Sequence, residues 1–315
     1  MTITQLEYVL AVAEHKNFTR AAETCHVTQP TLSMQIQKLE KELDILIFDR
    51  NKKPLSLTEV GEKIVAQAKN IVNEAKRMQD IVDLDKGFIG GDFNLGIIPT
   101  IMPTLLPMFL KNFTRTYPKI NLRIHELTTH KIIKQIKEGK LDAGIAATPL
   151  HEEKIKELPL YYEPFVGYIP SNFPSLHGLK KIQPENLDIS QILLLEDGHC
   201  FSDGVLNLCS ASKKVNKDNF HLQSGSFETL IKLADEGMGI TLLPYLHTLN
   251  LQEKSNLRFF EDPSPTREVS LIFNENELKI QIIKALHKLI MGIVRGAIAF
   301  SDVKIISPLP HYKKA

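Results

Sequence analysis

Thr28-Gln29-Pro30-Thr31-Leu32-Ser33-Met34-Gln35-Ile36-Gln37-Lys38-Leu39-Glu40 reads as a capped helix with a polar leading edge. Thr28 stands at the N-cap, where a side-chain oxygen accepts a bond from a first-turn amide. Pro30 falls in the first turn, where its missing N–H costs nothing. Leu32, Ile36, Leu39 and Leu43 recur at helical spacing and predict the core face, while Thr31, Ser33, Gln35 and Lys38 point elsewhere. A turn at Cys25-His26-Val27 joins this helix to a short one containing Ala21 and Ala22, small enough to let another helix approach. Thr19 is the predicted cap of the short helix. Before it, Leu6, Val9, Leu10 and Ala13 share one helical face, and Asn17 breaks the pattern. Two helices joined by a tight turn, the second with short polar side chains near its start, form the helix-turn-helix pattern.

Outward from there, Leu46–Arg50, Asn51-Lys52-Lys53-Pro54 and Leu55-Ser56-Leu57 read as a short hairpin whose basic tip suits phosphate contact. The first unit is expected to be a winged helix-turn-helix over 1–58. Thr58 then caps a long helix from about Glu59 to Asp83. Ile64, Ala68, Ile71, Ala75, Met78 and Val82 alternate at spacings of four and three in it, a heptad that predicts a dimerisation arm. Gly87, Gly90 and Gly91 close this linker and hinge region, 59–91.

From Asp92 the pattern alternates strands and helices, the signature of a parallel α/β sheet. Strands are expected near Phe93–Ile98, Asn121–Glu126 and Ala143–Ala147, with helices from about Thr104 to Thr116 and Lys131 to Glu138. This lobe spans 92–164 and resumes over 269–300 with a strand at Val269–Phe273 and a helix at Glu277–Val294. A second lobe, 165–268, holds predicted strands at Phe165–Ile169, Ile192–Leu195 and Ile240–Leu243 and a helix at Phe227–Glu236. The tail, 301–315, is expected to be loosely held.

At 315 residues the chain is longer than one core normally supports. Its 43% hydrophobic and 24% charged residues are ordinary for a globular protein. No apolar run reaches the roughly 18 residues of a membrane span, and the N-terminus lacks a signal-peptide pattern. The expectation is cytoplasmic. A net charge of +1 gives no global basic field. The first sixty residues carry no excess of Lys and Arg over Asp and Glu, so DNA binding would rest on local placement. The three cysteines, Cys25, Cys200 and Cys209, are too few for a secreted disulfide scaffold. Their spacing fits no structural metal site, and no metal or cofactor is expected. On composition alone each reads as a small buried apolar residue.

Phe18-Thr19-Arg20-Ala21-Ala22, Val27–Ser33, Ile36–Glu40, Phe48-Asp49-Arg50 and Leu57-Thr58-Glu59-Val60-Gly61 together resemble the LysR family of bacterial transcription regulators, a likeness that covers essentially the whole chain. One departure is Asp44, where the family usually has glycine; Asp tolerates the left-handed conformation better than most residues. Gly96-Ile97-Ile98-Pro99-Thr100, His125-Glu126, Thr129-His130 and Glu196-Asp197-Gly198-His199-Cys200 with Cys209 resemble the family's peroxide-sensing branch. Gly239–Pro244 is shared more widely and discriminates less.

The resemblance implies an N-terminal all-α winged helix-turn-helix, a long linker helix, and a C-terminal α/β effector domain of two lobes like those of periplasmic binding proteins. It implies a non-enzymatic, tetrameric homo-oligomer that binds a double-stranded DNA operator, works with RNA polymerase and responds to hydrogen peroxide. Cys200 would be the peroxidatic thiol and Cys209 the resolving one. Thr100, Thr129 and His199 would hold the peroxide. His199 adjoins Cys200 and can supply charge or a hydrogen bond, whereas Glu196 and Asp197 oppose ionisation if they are near. Gln29, Pro30, Thr31, Ser33, Gln35, Arg50 and Lys52 are the expected DNA contacts, with Ser33 and Gln35 on bases and Arg50 and Lys52 on phosphates. Thr100 has an ordinary alternative as a helix cap after Pro99, and His125 and His130 read as surface residues. Cys25, in the turn, stays a packing residue. Two rival functions remain: a LysR regulator with Thr100 and Thr129 holding a metabolite carboxylate, and a thiol peroxidase, which the DNA-binding pattern argues against. A free periplasmic solute-binding protein is disfavoured by the missing signal peptide.

Overall fold

The computed structural model describes the chain except residues 51, 53, 86–88, 196–199, 209–225, 250, 252–253, 299–302, 307 and 309–315. At 76, 79, 80, 83–85, 200, 303 and 304 it describes the backbone only. It divides into two compact units, 1–88 and 89–315.

The first unit holds α1 (Ile3–His15), α2 (Phe18–Thr24), α3 (Gln29–Leu43), the strands β1 (Phe48–Asp49) and β2 (Ser56–Leu57), and α4 (Glu59–Asp85). Thr2 and Gln5 form a reciprocal capping box at the start of α1. The cap of α2 is Asn17, not Thr19: its carboxamide oxygen accepts from the amides of Thr19 and Arg20. The residue that breaks one helix pattern thus starts the next. Thr28 caps α3, and Asp44 ends it in the left-handed conformation with φ of 53°. Leu32, Ile36 and Leu39 are buried as expected, but Leu43 is 36% exposed; the last turn has passed beyond the core. β1 and β2 pair antiparallel, forming the wing.

The face of α4 divides. Val65, Ala68 and Val72 pack into the core of this unit, with Ile64 and Ile71 at its margin. Ala68 is therefore not free for a partner, because α1 and its neighbours already cover it. Met78, Ile81 and Val82, further along, are exposed.

The second unit begins with β3 (Gly91–Ile97), α5 (Met102–Thr116), β4 (Ile120–Glu126), α6 (Thr129–Lys137), β5 (Ala143–Thr148) and β6 (Ile155–Tyr168). Then come α7 (Pro174–His177), β7 (Lys181–Ile182), α8 (Cys200–Leu208), α9 (Phe227–Asp235), β8 (Thr241–Pro244), α10 (Tyr245–Thr248) and β9 (Leu257–Phe260). β10 (Ser264–Asn274), α11 (Ile280–Val294) and β11 (Val303–Ile305) complete it. The strand order is β4-β3-β5-β10-β6-β9-β7, with β11 on β10 and β8 on β6.

The sheet is mixed rather than purely parallel. β3 pairs parallel with β4 and β5, whereas β10 runs antiparallel to β5 and β6. β6 starts at Ile155, ten residues before the strand expected from the apolar run, because Glu157, Pro159 and Glu163 interrupt the pattern. Ile192 makes a single bridge to Ile240 instead of a full strand. The tail is partly ordered: β11 pairs parallel with β10, and Ile306 joins the second core.

β6 pairs with β10 along 155–164, then with β8 and β9 over 165–168. It thereby passes from one sheet to another, and each sheet has its own core. Phe93, Phe109, Ile145, Leu271 and Leu286 belong to one, and Phe165, Tyr168, Phe201, Phe227 and Leu243 to the other. No helix among the described residues is long and apolar enough to cross a membrane.

Gly61 is a point of close backbone approach in the first unit. A Cβ there would fall inside contact distance of the Ile47 carbonyl and meet Thr58 Oγ1 at 3.0 Å. Thr58 itself caps α4 through the Gly61 amide at 2.9 Å and donates to the Leu46 carbonyl. Gly61→Ala is expected to destabilise the unit by about 1–3 kcal/mol, as overpacking does. Thermal unfolding of wild type and variant checks it; an unchanged midpoint would show that the wing yields freely.

Candidate functional site

β3 and β4 run side by side with Ile97 opposite Glu126. Three residues beyond each partner stand Thr100 and Thr129, both buried. Thr129 opens α6, and Thr100 lies in the turn before α5. The two hydroxyls are thus delivered at the carboxyl ends of adjacent parallel strands, the usual place for a ligand crevice in an α/β sheet. Thr100 does not cap α5. The N-cap position is Ile101, and no side chain caps there. Instead Thr100 Oγ1 accepts from Arg267 Nη1 at 3.0 Å, and its carbonyl accepts from Nη2 at 3.1 Å.

Arg267 was not singled out by sequence, and it organises the site. It lies opposite Glu163 in the β6–β10 register, one residue before β6 changes sheets. Its Nε and Nη2 donate to Glu163 Oε2 at 2.9 and 2.6 Å. Glu163 Oε1 accepts from the Leu246 amide at 2.8 Å. Both side chains are almost fully buried. The guanidinium also lies 5.3 Å from the centroid of Phe201, the residue after Cys200. Phe201 touches Phe165 and Phe227 at centroid distances of 5.0 Å each, and Phe227 meets the His247 ring at 4.8 Å. No local sequence signal marks this pair: β6 also carries Lys156 and Glu157, and Glu268 follows Arg267 in β10.

Two buried polar atoms near this pair, Tyr161 Oη and His247 Nδ1, have no hydrogen-bond partner among the described residues. Burial raises the Tyr161 phenol well above its ordinary value; Glu163 adds to the rise and Arg267 opposes it.

Cys200 opens α8. Its side chain lies outside the described residues, as do His199 and Cys209 and the preceding Glu196-Asp197-Gly198. The helix itself is well held. Phe201, Val205 and Leu208 are buried, and Ser202 Oγ donates to the Leu195 carbonyl at 2.9 Å. His125 and His130 are exposed.

In the first unit, Gln29, Pro30 and Thr31 are exposed at the start of α3. Ser33 and Gln35 sit on its flanks, half-buried. Gln35 Oε1 accepts from Gln5 Nε2 at 3.2 Å, and Ser33 Oγ accepts from Arg50 Nη1 at 3.5 Å. Arg50 also pairs with the buried Glu40 at 3.0 Å and lies 5.1 Å from the Phe18 ring. Glu40 accepts from the Ile47 and Phe48 amides as well, so these groups fasten the wing to α3. Lys52 is exposed beside Asp49, at 3.8 Å. Cys25 is half-buried against the core of this unit. Burial, then Glu7, raises its thiol pKa, which disfavours the reactive thiolate.

Burial, followed by the Arg267 charge, pushes His247 down from its ordinary value of 6.5 to about 4. The folded chain holds it neutral, whereas the unfolded chain takes up a proton near pH 6.5. Its stabilisation is therefore complete above about pH 6.5 and is lost as pH falls toward 4. Denaturation midpoints at pH 7.5 and 5 are expected to drop more for wild type than for His247→Gln, by up to about 1 kcal/mol per pH unit. Equal drops would place the acid sensitivity elsewhere.

Comparison with known proteins bears on both units. Residues 3–62 match the bacterial regulatory helix-turn-helix protein, lysR family, and residues 86–292 match the LysR substrate binding domain. The "Hydrogen peroxide-inducible genes activator" of Pectobacterium carotovorum subsp. carotovorum is 35% identical, covering 87% of this chain and 90% of its own. The "DNA-binding transcriptional dual regulator OxyR" of Escherichia coli K12 is 34% identical, over 87% and 89% of the two chains. Among solved structures, full-length OxyR from Pseudomonas aeruginosa with a cysteine-to-aspartate substitution superposes with a TM-score of 0.73 at 34% identity, covering 92% of this chain and 94% of that one. An H2O2-bound cysteine-to-serine mutant of Corynebacterium glutamicum OxyR gives 0.64 at 25% identity, covering 96% and 98%. A helix-turn-helix match at the start of the first unit, followed by a match over most of the two-core α/β unit, leads to one conclusion: the chain belongs to the LysR family of bacterial DNA-binding transcriptional regulators.

Proposed function

We propose that this chain is a cytoplasmic hydrogen-peroxide sensor that controls transcription from a double-stranded DNA operator and is switched by a disulfide between Cys200 and Cys209. Its likeness to peroxide-inducible activators supports the signal. One observation carries the switch: α8 runs unbroken from Cys200 to Leu208. That helix separates its end Cα atoms by about 12 Å. A disulfide reaches at most about 6.8 Å between Cα atoms, and one further peptide step adds about 3.8 Å. The two together fall short, so Cys209 cannot bond Cys200 while α8 stands. Oxidation must open a helix that buries Phe201, Val205 and Leu208.

The chemistry follows in two steps. The Cys200 thiolate attacks one peroxide oxygen, the O–O bond breaks, and hydroxide leaves as sulfenic acid forms. The Cys209 sulfur then attacks the sulfenic sulfur, forming the disulfide and releasing water. Thr100 and Thr129, together with His199, supply the hydrogen bonds that hold the peroxide and the leaving oxygen. Arg267, packed against the residue after Cys200, holds the Thr100 hydroxyl and carbonyl in place for that role. A metabolite carboxylate at Thr100 would compete for Arg267 with Glu163, which already binds it.

The lobes of this sensor are assigned to 92–164 with 269–300, and to 165–268. The DNA contacts are assigned to Gln29, Pro30, Thr31, Ser33, Gln35, Arg50 and Lys52, with RNA polymerase as the onward partner. The open end of α4 is the seam of a homo-oligomer, a dimer of dimers.

After one equivalent of peroxide, intact-mass spectrometry is expected to show loss of two hydrogens in wild type and in Cys25→Ser. Cys200→Ser should stay unmodified, with an unchanged DNA footprint. Cys209→Ser should stop at sulfenic or sulfinic acid. Equal reactivity of the two thiols would remove the role assignment, and no disulfide in wild type would remove the switch. For the seam, Met78→Glu combined with Val82→Glu is expected to halve the mass or more by light scattering without loss of helicity, whereas Ala68→Glu should unfold the first unit. An unchanged mass in the double variant would exclude the open end of α4 from assembly.

A further inference from the structure

We infer that Met34 is a sequence-reading residue, its thioether chain packing on the 5-methyl group of a thymine in the DNA major groove. The inference rests on the DNA-binding reading of the first unit and goes beyond the contacts assigned above. Met34 is 59% exposed. It lies two residues from Leu32 and two from Ile36, both fully buried, and is therefore turned about 160° from each around the helix axis. It shares its stripe with Pro30, Thr31, Gln37 and Lys38, all exposed. Ser33 and Gln35, on the flanks, are engaged with Arg50 and Gln5 inside the unit. The side chain at the crest of the first two turns of α3 is thus a methionine.

Single exposed apolar residues are ordinary on protein surfaces. This one occupies the part of the second helix that helix-turn-helix proteins carry to base edges. The major groove displays one apolar group, the thymine methyl; every other base feature there is a hydrogen-bond donor or acceptor. A flexible, polarisable thioether adapts its shape to such a contact and makes none of the hydrogen bonds the other bases require. Gln37 and Lys38 beside it offer donors for neighbouring bases or phosphates.

The test uses the full-length protein. Duplexes are selected from a randomised pool by wild type. The selected duplex is then resynthesised with each thymine replaced in turn by deoxyuridine, which deletes the methyl and nothing else. Affinities are measured for wild type and Met34→Ala. One thymine in each half-site is expected to lose about fourfold in wild-type affinity on methyl deletion, equivalent to ~0.8 kcal/mol for one buried methyl-sized group. Met34→Ala, with wild-type circular dichroism, should bind the thymine and deoxyuridine duplexes equally. If wild type is indifferent to every methyl, the assignment is overturned without reference to the variant. It is equally overturned if Met34→Ala keeps the full methyl dependence. A selection that enriches no sequence would instead overturn DNA reading by this unit, and Met34 with it.

Discussion

The buried Arg267–Glu163 pair is the constraint around which the second unit is arranged. Taking two charges out of water is costly, and their attraction repays it only when the remaining donors and acceptors are also satisfied. Here three further pieces of backbone and side chain do so. Thr100 contributes a hydroxyl and a carbonyl from the turn after β3, and Leu246 contributes an amide from the corner between β8 and α10. Phe201 contributes the face of its ring from α8. Because the pair sits where β6 leaves β10 for β8 and β9, the same interaction positions a loop and α10 from one core and α8 from the other. Removing either charge would strand its partner in a buried site, at a cost of about 3–5 kcal/mol.

That arrangement gives α8 its character. Its apolar face is locked by an aromatic column running from Phe165 through Phe201 and Phe227 to His247, and Ser202 ties its first turn to Leu195. Yet the element is short, and Leu206 on its outer face is exposed. Burial of Phe201, Val205 and Leu208 is worth about 1.5–3 kcal/mol for each side chain fully withdrawn from water. A covalent bond formed in the presence of oxidant can offset a loss of that size. A weak contact could not. For the disulfide switch proposed above, the two-state element would be a helix whose burial defines a resting state and whose shortness allows it to be given up.

Much of this was legible in the sequence because it depends on local chemistry. Thr28, Pro30 and Asp44 announce the limits of α3, and each acts as its chemistry dictates. Thr100 and Thr129 could be named from motifs, but their equal offset from paired positions on β3 and β4 is a property of strand register, which no local pattern carries. The antiparallel course of β10 was illegible for the same reason. Apolar periodicity reports which face is buried and leaves strand direction unspecified. Arg267 was missed because a charged residue in a strand reads as solvent-facing unless its partner, more than a hundred positions away, is known.

The first unit shows the complementary lesson about charge. Its basic residues do not outnumber its acidic ones by a margin that would announce DNA, and the structure shows how they are used. Glu40 is consumed inside, accepting two wing amides and the Arg50 guanidinium, so it presents no negative field at the surface. Arg50 in turn spends one edge on Glu40 and its face on Phe18, yet its side chain remains 34% exposed. An arginine held this way loses little conformational freedom when its remaining donors meet a phosphate, because its orientation is already set. The outward stripe of α3 is left with Pro30, Thr31, Met34, Gln37 and Lys38, a set with one cation, two further hydrogen-bonding groups and two apolar side chains. Affinity from such a surface comes chiefly from its rim and selectivity from its crest, because phosphate contacts position a protein on DNA while base-edge contacts specify the sequence. On the contacts proposed above, a near-neutral unit can be a discriminating one: few cations would hold phosphate non-specifically, and the groups on α3 would decide where the regulator rests.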